Sequence, residues 1–278
     1  MKLLSYSLKN KTTWGVATDK GVIDCSALFP TLRAALEANG LDKVKAFASG
    51  RDANATLTEI TYLPVVPDPG KIICVGLNYQ DHVKETKRDN TENPALFIRF
   101  AESQVGHNQP IVLPPESTHL DYECEIAVII GKGGRRISEA DSWSHIAGYA
   151  PYNDGSIRDW QRHTIQWTAG KNFSKTGGFG PWMVTRDEIA DDAELSIETR
   201  LNGQVMQHST TRHMIFSIPV LIKYISTFTS LQPGDVIVTG TPGGVGARRE
   251  PPVWMKAGDT VEIELGKVGV LVNTIAKE

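Results

Sequence analysis

The chain predicts a mainly β protein with a few helices. Three observations carry that prediction. Short β-branched and apolar runs recur between Gly, Pro and Asn turn signals. Asn202-Gly203 stands between two such runs, a strong hairpin signal. The regular strand–helix alternation of a doubly wound fold is missing.

Taken in order, Lys2–Ser7, Thr13–Thr18 and Gly21–Asp24 read as strands separated by Lys and Gly turns. Leu32–Phe47, rich in Ala, Leu and Lys, reads as a helix. Prolines at 64, 67 and 69 then preclude helix and disfavour a central strand. A boundary is placed there, giving a small N-terminal α+β domain over 1–68 and a larger one over 69–278; a loop within one domain is the competing reading. Further strands are expected at 71–76, 94–100, Ile111–Leu113, Glu123–Ile130, Ile146–Tyr152, Leu195–Leu201, Val236–Thr239, Thr260–Leu265 and Val268–Asn273. Ser217-Ile218-Pro219 before VLIKYISTF reads as a capped helix with Pro in its first turn.

The 278 residues suffice for one large domain or a small plus a large one, and the net charge of −3 gives no reason to expect nucleic acid or an anionic membrane as partner. No apolar stretch approaches a membrane span. The opening residues lack the long apolar segment of a signal peptide, and Cys25, Cys74 and Cys124 are scattered and odd in number. A reducing, cytoplasmic setting is therefore expected. Without CxxC or HExxH, a dedicated zinc site is not.

The run YECEIAVIIG holds the most informative residues. In a strand, Glu123, Glu125, Ala127 and Ile129 share one face, and Tyr122, Cys124, Ile126, Val128 and Ile130 share the other. Both faces soon become apolar, so the strand reads as buried. Two buried carboxylates on one face need a proton, a cation or a metal. With Asp154 as a third oxygen ligand, Mg²⁺ or Mn²⁺ suits the set. The bland alternative is a wet strand end that binds nothing, with Asp154 as a helix N-cap.

Other segments are weaker when taken singly. His82 and Glu85 lie three apart where a helix would place them on one face, the arrangement of a general-base dyad or of an ordinary surface pair. Lys171, flanked by Gly, Trp and Phe, either offsets the charge of a carboxylate site or lies on a surface loop. The Gly-rich stretch 239–246 is no P-loop; it reads as a loop or as a pocket wall with the Thr241 hydroxyl as donor.

Together VGLNYQDHVKE, PALFIRF, DYECEIAVIIGK, GYAPYNDGSIRDWQ, GKNF, LNGQVMQ and LQPGDVIVTGTPGGVG resemble the fumarylacetoacetate hydrolase family, from about Lys71 to the C-terminus. The resemblance implies a mixed β-sandwich roll, a homodimer, and Mg²⁺ or Mn²⁺ held by Glu123, Glu125 and Asp154. It implies a His82–Glu85 dyad on a mobile lid, for which the polar stretch Lys87–Asn93 is suited. Lys171 is implied as the active-site cation, with Arg99, Gln161 and Thr241 as substrate contacts. The sequence departs from the family pattern at Arg99, where lysine is usual, at Ser174, where many members have Asp, and at Gly177-Gly178. Arg99 is expected to recognise a substrate carboxylate, as a planar bidentate donor.

The leading expectation is a metal-dependent hydrolase that cleaves a C–C bond of a small 2-oxo acid, an acylpyruvate such as fumarylpyruvate, in aromatic catabolism. Oxaloacetate decarboxylation and dienol–oxo isomerisation use the same site and are the alternatives. A non-catalytic small-acid-binding protein is the reading from another class.

Overall fold

The strand Cys124–Ile130 lies at the centre of the molecule and is buried along its whole length. The structure, a computed structural model, describes residues 1–87 and 91–278. The expected alternation holds. Cys124, Ile126, Val128 and Ile130 join one core, and Ala127 and Ile129 join another on the opposite face. A strand wedged between two cores tolerates no unpaired charge, which sets the problem that Glu123 and Glu125 must solve.

Among the described residues, this strand belongs to a twelve-stranded sheet. It pairs antiparallel with Ile146–Asn153 on one side and Val236–Val238 on the other. Beyond Val236–Val238 come Ile72–Gly76, in parallel, and then Ala95–Arg99 at the edge. A five-stranded sheet runs Gln204–Thr210, Ser196–Leu201, Thr260–Leu265, Gly269–Lys277, Ile111–Leu113. Its residues Ile197, Val261, Ile263 and Leu271 share a core with Ile126 and Val128, so two sheets face each other as a sandwich. The helix Ile218–Phe228 adds Leu221, Ile222 and Ile225 to that core.

The N-terminal segment continues the large sheet. Lys2–Leu8 pairs with Met183–Thr185, and Leu3, Trp14 and Val16 pack with Ile72, Ala127, Ile129 and Tyr152. The boundary expected at 68 therefore falls in a connection whose two sides share one sheet and one core. The single helix expected over 32–47 is two, Leu32–Glu37 and Leu41–Ala48. Asn39 at φ +48° breaks it, and a side-chain carbon on Gly40 would meet the Phe29 ring at 2.5 Å. Ser217 precedes its helix in extended backbone, but its side chain makes no capping bond. Asn202 and Gly203 both have positive φ, as the tight turn of a hairpin requires. No helix among the described residues is long and apolar enough to cross a membrane. Residues 88–90 of the expected lid stretch Lys87–Asn93 lie outside the described residues.

Candidate active site

Local pairing brings three carboxylates together. Cys124 sits opposite Asn153 in the ladder, so Glu123 and Asp154 flank the same end of two neighbouring strands. The Asn153 side-chain oxygen accepts from the Glu123 amide at 3.0 Å, and the Asp154 amide donates to the Glu123 carbonyl at 2.9 Å. Gly155 is required next, because a side-chain carbon there would lie 2.0 Å from the Thr176 carbonyl. Asp154 is not a helix cap; the helix Arg158–Gln161 is preceded by Ile157 at that position. Glu123, Glu125 and Asp154 are all buried, with one oxygen of each within 4.8 Å of the others.

Buried cations surround the triad. Lys171 is 2% exposed, and its Nζ donates to Glu123 Oε2 at 2.6 Å and Asp154 Oδ2 at 2.5 Å. A side-chain carbon on Gly170 would meet the Gln161 backbone at 2.3 Å, so glycine lets the short helix Thr168–Lys171 approach this closely. Arg158 lies 2.6 Å from Glu123 Oε1 and 2.7 Å from Asp121 Oδ2. Burial alone favours uncharged Lys171, but Asp154 and Glu123 outweigh it and raise its pKa. Burial likewise pushes Glu123 up, yet Arg158 and Lys171 prevail and hold it well below the usual carboxylate range. Glu125 goes the other way. Burial, then Asp154 and Glu123, drive its pKa well above the ordinary value, and the Gly240 amide, donating at 2.5 Å, does not offset them.

That asymmetry bears on the metal. Glu125 is a carboxyl that needs positive charge, beside two carboxylates, with hard oxygen donors converging from all three. The donor set fits Mg²⁺ or Mn²⁺.

The cavity in front of the triad has a volume of about 390 Å³. His82, Glu123, Glu125, Gln161, Lys171 and Thr241 all contribute to its lining. His82 Nδ1 is 2.7 Å from Glu85 Oε1, and the Gly244 amide donates to Glu85 Oε2 at 2.8 Å. The dyad helix, Gln80–Thr86, is thereby tied to the Gly-rich stretch 239–246. Amides of that stretch and the residue after it also hold Glu125 through Gly240, and Asp121 through Gly246 and Ala247. The Thr241 hydroxyl accepts from Gln207 at 2.8 Å, which leaves its own proton to donate. Gln161 is oriented by Arg158, which donates to its Oε1 at 2.9 Å.

Arg99 departs from expectation. It lies behind Asp154, fully enclosed, and donates to Asp154 Oδ1, the Gly155 carbonyl, Thr176 and Ser103. It does not line the cavity. Sequence reasoning also missed Asp121 and Arg158. The signal was present: the period of two that links Glu125 to Glu123 extends back to Asp121, and a third carboxylate calls for a further cation.

The family model for the fumarylacetoacetate (FAA) hydrolase C-terminal region matches residues 71–276. The mitochondrial oxaloacetate tautomerase FAHD2A of Bos taurus is 43% identical over 264 residues, covering 92% of this chain and 84% of that protein. A mitochondrial relative of this similarity overturns the expectation of a cytoplasmic setting. Fumarylacetoacetate hydrolase from Exiguobacterium antarcticum superposes with a TM-score of 0.87 at 31% identity, covering 100% of both chains. Maleylpyruvate hydrolase from Sphingobium sp. SYK-6, solved with manganese(II) and pyruvate, gives a TM-score of 0.83 at 28% identity, covering 100% of this chain and 99% of that one.

Proposed function

Because the chain belongs to the fumarylacetoacetate hydrolase family, we propose that it is a divalent-metal-dependent enzyme that interconverts the enol and keto forms of oxaloacetate. The observation that carries this reading is the placement of His82. It shares one cavity with the carboxylate triad and is held by Glu85 at 2.7 Å. Tautomerisation asks for a base beside the carbon next to a polarised carbonyl, and for no second nucleophile. The substrate comes from the bovine relative, an oxaloacetate tautomerase.

Glu123, Glu125 and Asp154 would hold the metal, which supplies Lewis-acid polarisation of the substrate's keto oxygen. With Nδ1 engaged by Glu85, His82 Nε2 is the nitrogen left to exchange a proton. It takes the proton from C3 and returns it to the enol oxygen, or runs the reverse. Glu85 favours the imidazolium formed between these transfers. Lys171 keeps a positive charge beside the oxygen on which negative charge grows. Four buried carboxylates, Asp121, Glu123, Glu125 and Asp154, face three buried cations, Arg99, Arg158 and Lys171. With Glu125 ionised the set carries a single excess negative charge, which a bound divalent ion would turn into a single positive one that favours an anionic substrate.

The test starts from enol oxaloacetate with Mg²⁺ or Mn²⁺ and follows loss of enol absorbance and formation of pyruvate together. Enol loss that is catalysed and outpaces pyruvate formation is expected. No acceleration of enol loss would refute the reading. A pyruvate yield that keeps pace with enol loss would replace it with decarboxylation.

Acylpyruvate hydrolysis is the second reading, favoured by the maleylpyruvate hydrolase neighbour with its bound pyruvate. There His82 would activate water instead. Faster turnover of acylpyruvates than of oxaloacetate would select it. A homodimer, argued from family analogy, belongs to either reading.

A further inference from the structure

Two arginines lining the cavity, Arg162 and Arg248, have no part in the chemistry above. Arg248 is exposed at the rim, and its side chain makes no hydrogen bond or ion pair among the described residues. The guanidinium groups around it are engaged. Arg158 is taken by Asp121 and Glu123, and Arg99 by Asp154. Arg249 donates to the Tyr122 hydroxyl and to the Gly244 and Met206 carbonyls. Arg162, also at the rim, has an interaction of its own.

The backbone that carries Arg248 is fixed relative to the triad. Gly246 and Ala247 donate to the two oxygens of Asp121 at 2.8 and 3.0 Å. Asp121 holds Arg158, and Arg158 holds Glu123. Gly246 must be glycine, since a side-chain carbon would lie 2.0 Å from the Val253 carbonyl and 2.6 Å from Asp121 Oδ1. The Arg248 turn is therefore tied to the triad through two charged side chains.

We propose that Arg248 receives the second carboxylate of a 2-oxo dicarboxylate and so sets preference for diacids over monoacids; this rests on the proposed function. A 2-oxo acid would turn its keto oxygen and adjacent carboxylate toward the cation that the triad would hold. A diacid brings a second charge into the same cavity. An arginine with no carboxylate partner, carried on a fixed turn, is the group suited to it, with two parallel donors for two oxygens.

The experiment compares oxaloacetate with its 4-ethyl ester, which keeps the 2-oxo acid and lacks the second charge. In R248Q the ratio of KM for oxaloacetate to KM for the ester should rise about tenfold, the size of one charge-assisted bond at a partly solvated site. R248K should recover part of it. An unchanged ratio would overturn the proposal. Wild type inactive on both compounds would count against the functional reading instead. Binding still decides on Arg248 in that case: calorimetry with malate and lactate in Mg²⁺ should show R248Q losing affinity for malate alone. Equal losses, or none, would overturn the assignment. The arginine is exposed, so a melting temperature near wild type is expected and separates misfolding from lost recognition.

Discussion

Arg99 and Lys171 grip opposite oxygens of Asp154, Arg99 through Nη1 on Oδ1 and Lys171 through Nζ on Oδ2, each at 2.5 Å. The two cations differ in what stands behind them. Lys171 lines the cavity, whereas Arg99 also binds the Gly155 carbonyl and Thr176 and does not line it. Arg99 thus braces Asp154 from behind, whereas Lys171 is the cation that faces the cavity.

Replacing Arg99 by Met should therefore damage folding and metal affinity together. It leaves Asp154 buried with one partner lost, a change that costs roughly 3–5 kcal/mol for a broken buried pair. Thermal melts and Mn²⁺ calorimetry on R99M check this. A variant of normal stability and metal affinity whose only defect is a raised KM would restore the carboxylate-recognition role expected from sequence.

Lys171→Met should behave differently. The variant loses positive charge at the reacting oxygen, and kcat should fall about 10²-fold, the scale of one lost electrostatic donor. Mn²⁺ affinity should hold or improve, since a competing cation beside Glu123 and Asp154 is gone. Weakened Mn²⁺ binding in K171M would show that the lysine organises the ligands and does little for the substrate.

Glu125→Gln tests the triad where its charge is least supported. Burial and two neighbouring carboxylates already push Glu125 toward its protonated form, so a neutral isostere should leave metal-free stability near or above wild type. Metal affinity should drop by more than the ~10–100-fold typical of lost outer-shell partners. Calorimetry with Mn²⁺ and melts in chelator read both. A metal affinity equal to wild type would remove Glu125 from the ligand set.

How much of this was legible beforehand follows from the range of each interaction. The alternation along 123–130 is local, and it put Glu123 and Glu125 on the correct face. The Asn202-Gly203 hairpin is local too, and both residues adopt the positive φ its turn demands. His82 and Glu85 needed only helical spacing to meet. What was not legible is long-range. Nothing near Lys2 announces that it pairs with Val184, so the N-terminal strands looked separable. Arg99 was visible as a cation near the site, but which side of Asp154 it occupies is decided by contacts with Gly155 and Thr176, far along the chain. Asp121 and Arg158 lie 37 residues apart, and the ion pair that joins them, like the Gly246 and Ala247 amides on Asp121, is a long-range contact that no local pattern announces.

The last prediction concerns the base. His82→Ala removes the only imidazole lining the cavity among the described residues, and loss of a general base typically costs ~10²–10⁴ in rate. Enol–keto turnover of oxaloacetate should fall by that factor with Mn²⁺ affinity intact, because His82 is outside the carboxylate triad. Added imidazole should restore part of the rate in H82A. Glu85→Gln keeps an oxygen for the Gly244 amide but loses the charge that favours the imidazolium, so it should show a smaller loss of kcat with KM little changed. Exchange of the C3 protons of oxaloacetate for deuterium, followed by NMR, isolates the step assigned to His82. If H82A exchanges those protons at the wild-type rate, the base is elsewhere. If it exchanges them normally yet fails to cleave an acylpyruvate that wild type cleaves, His82 serves water, and hydrolysis is the reaction this cavity was built for.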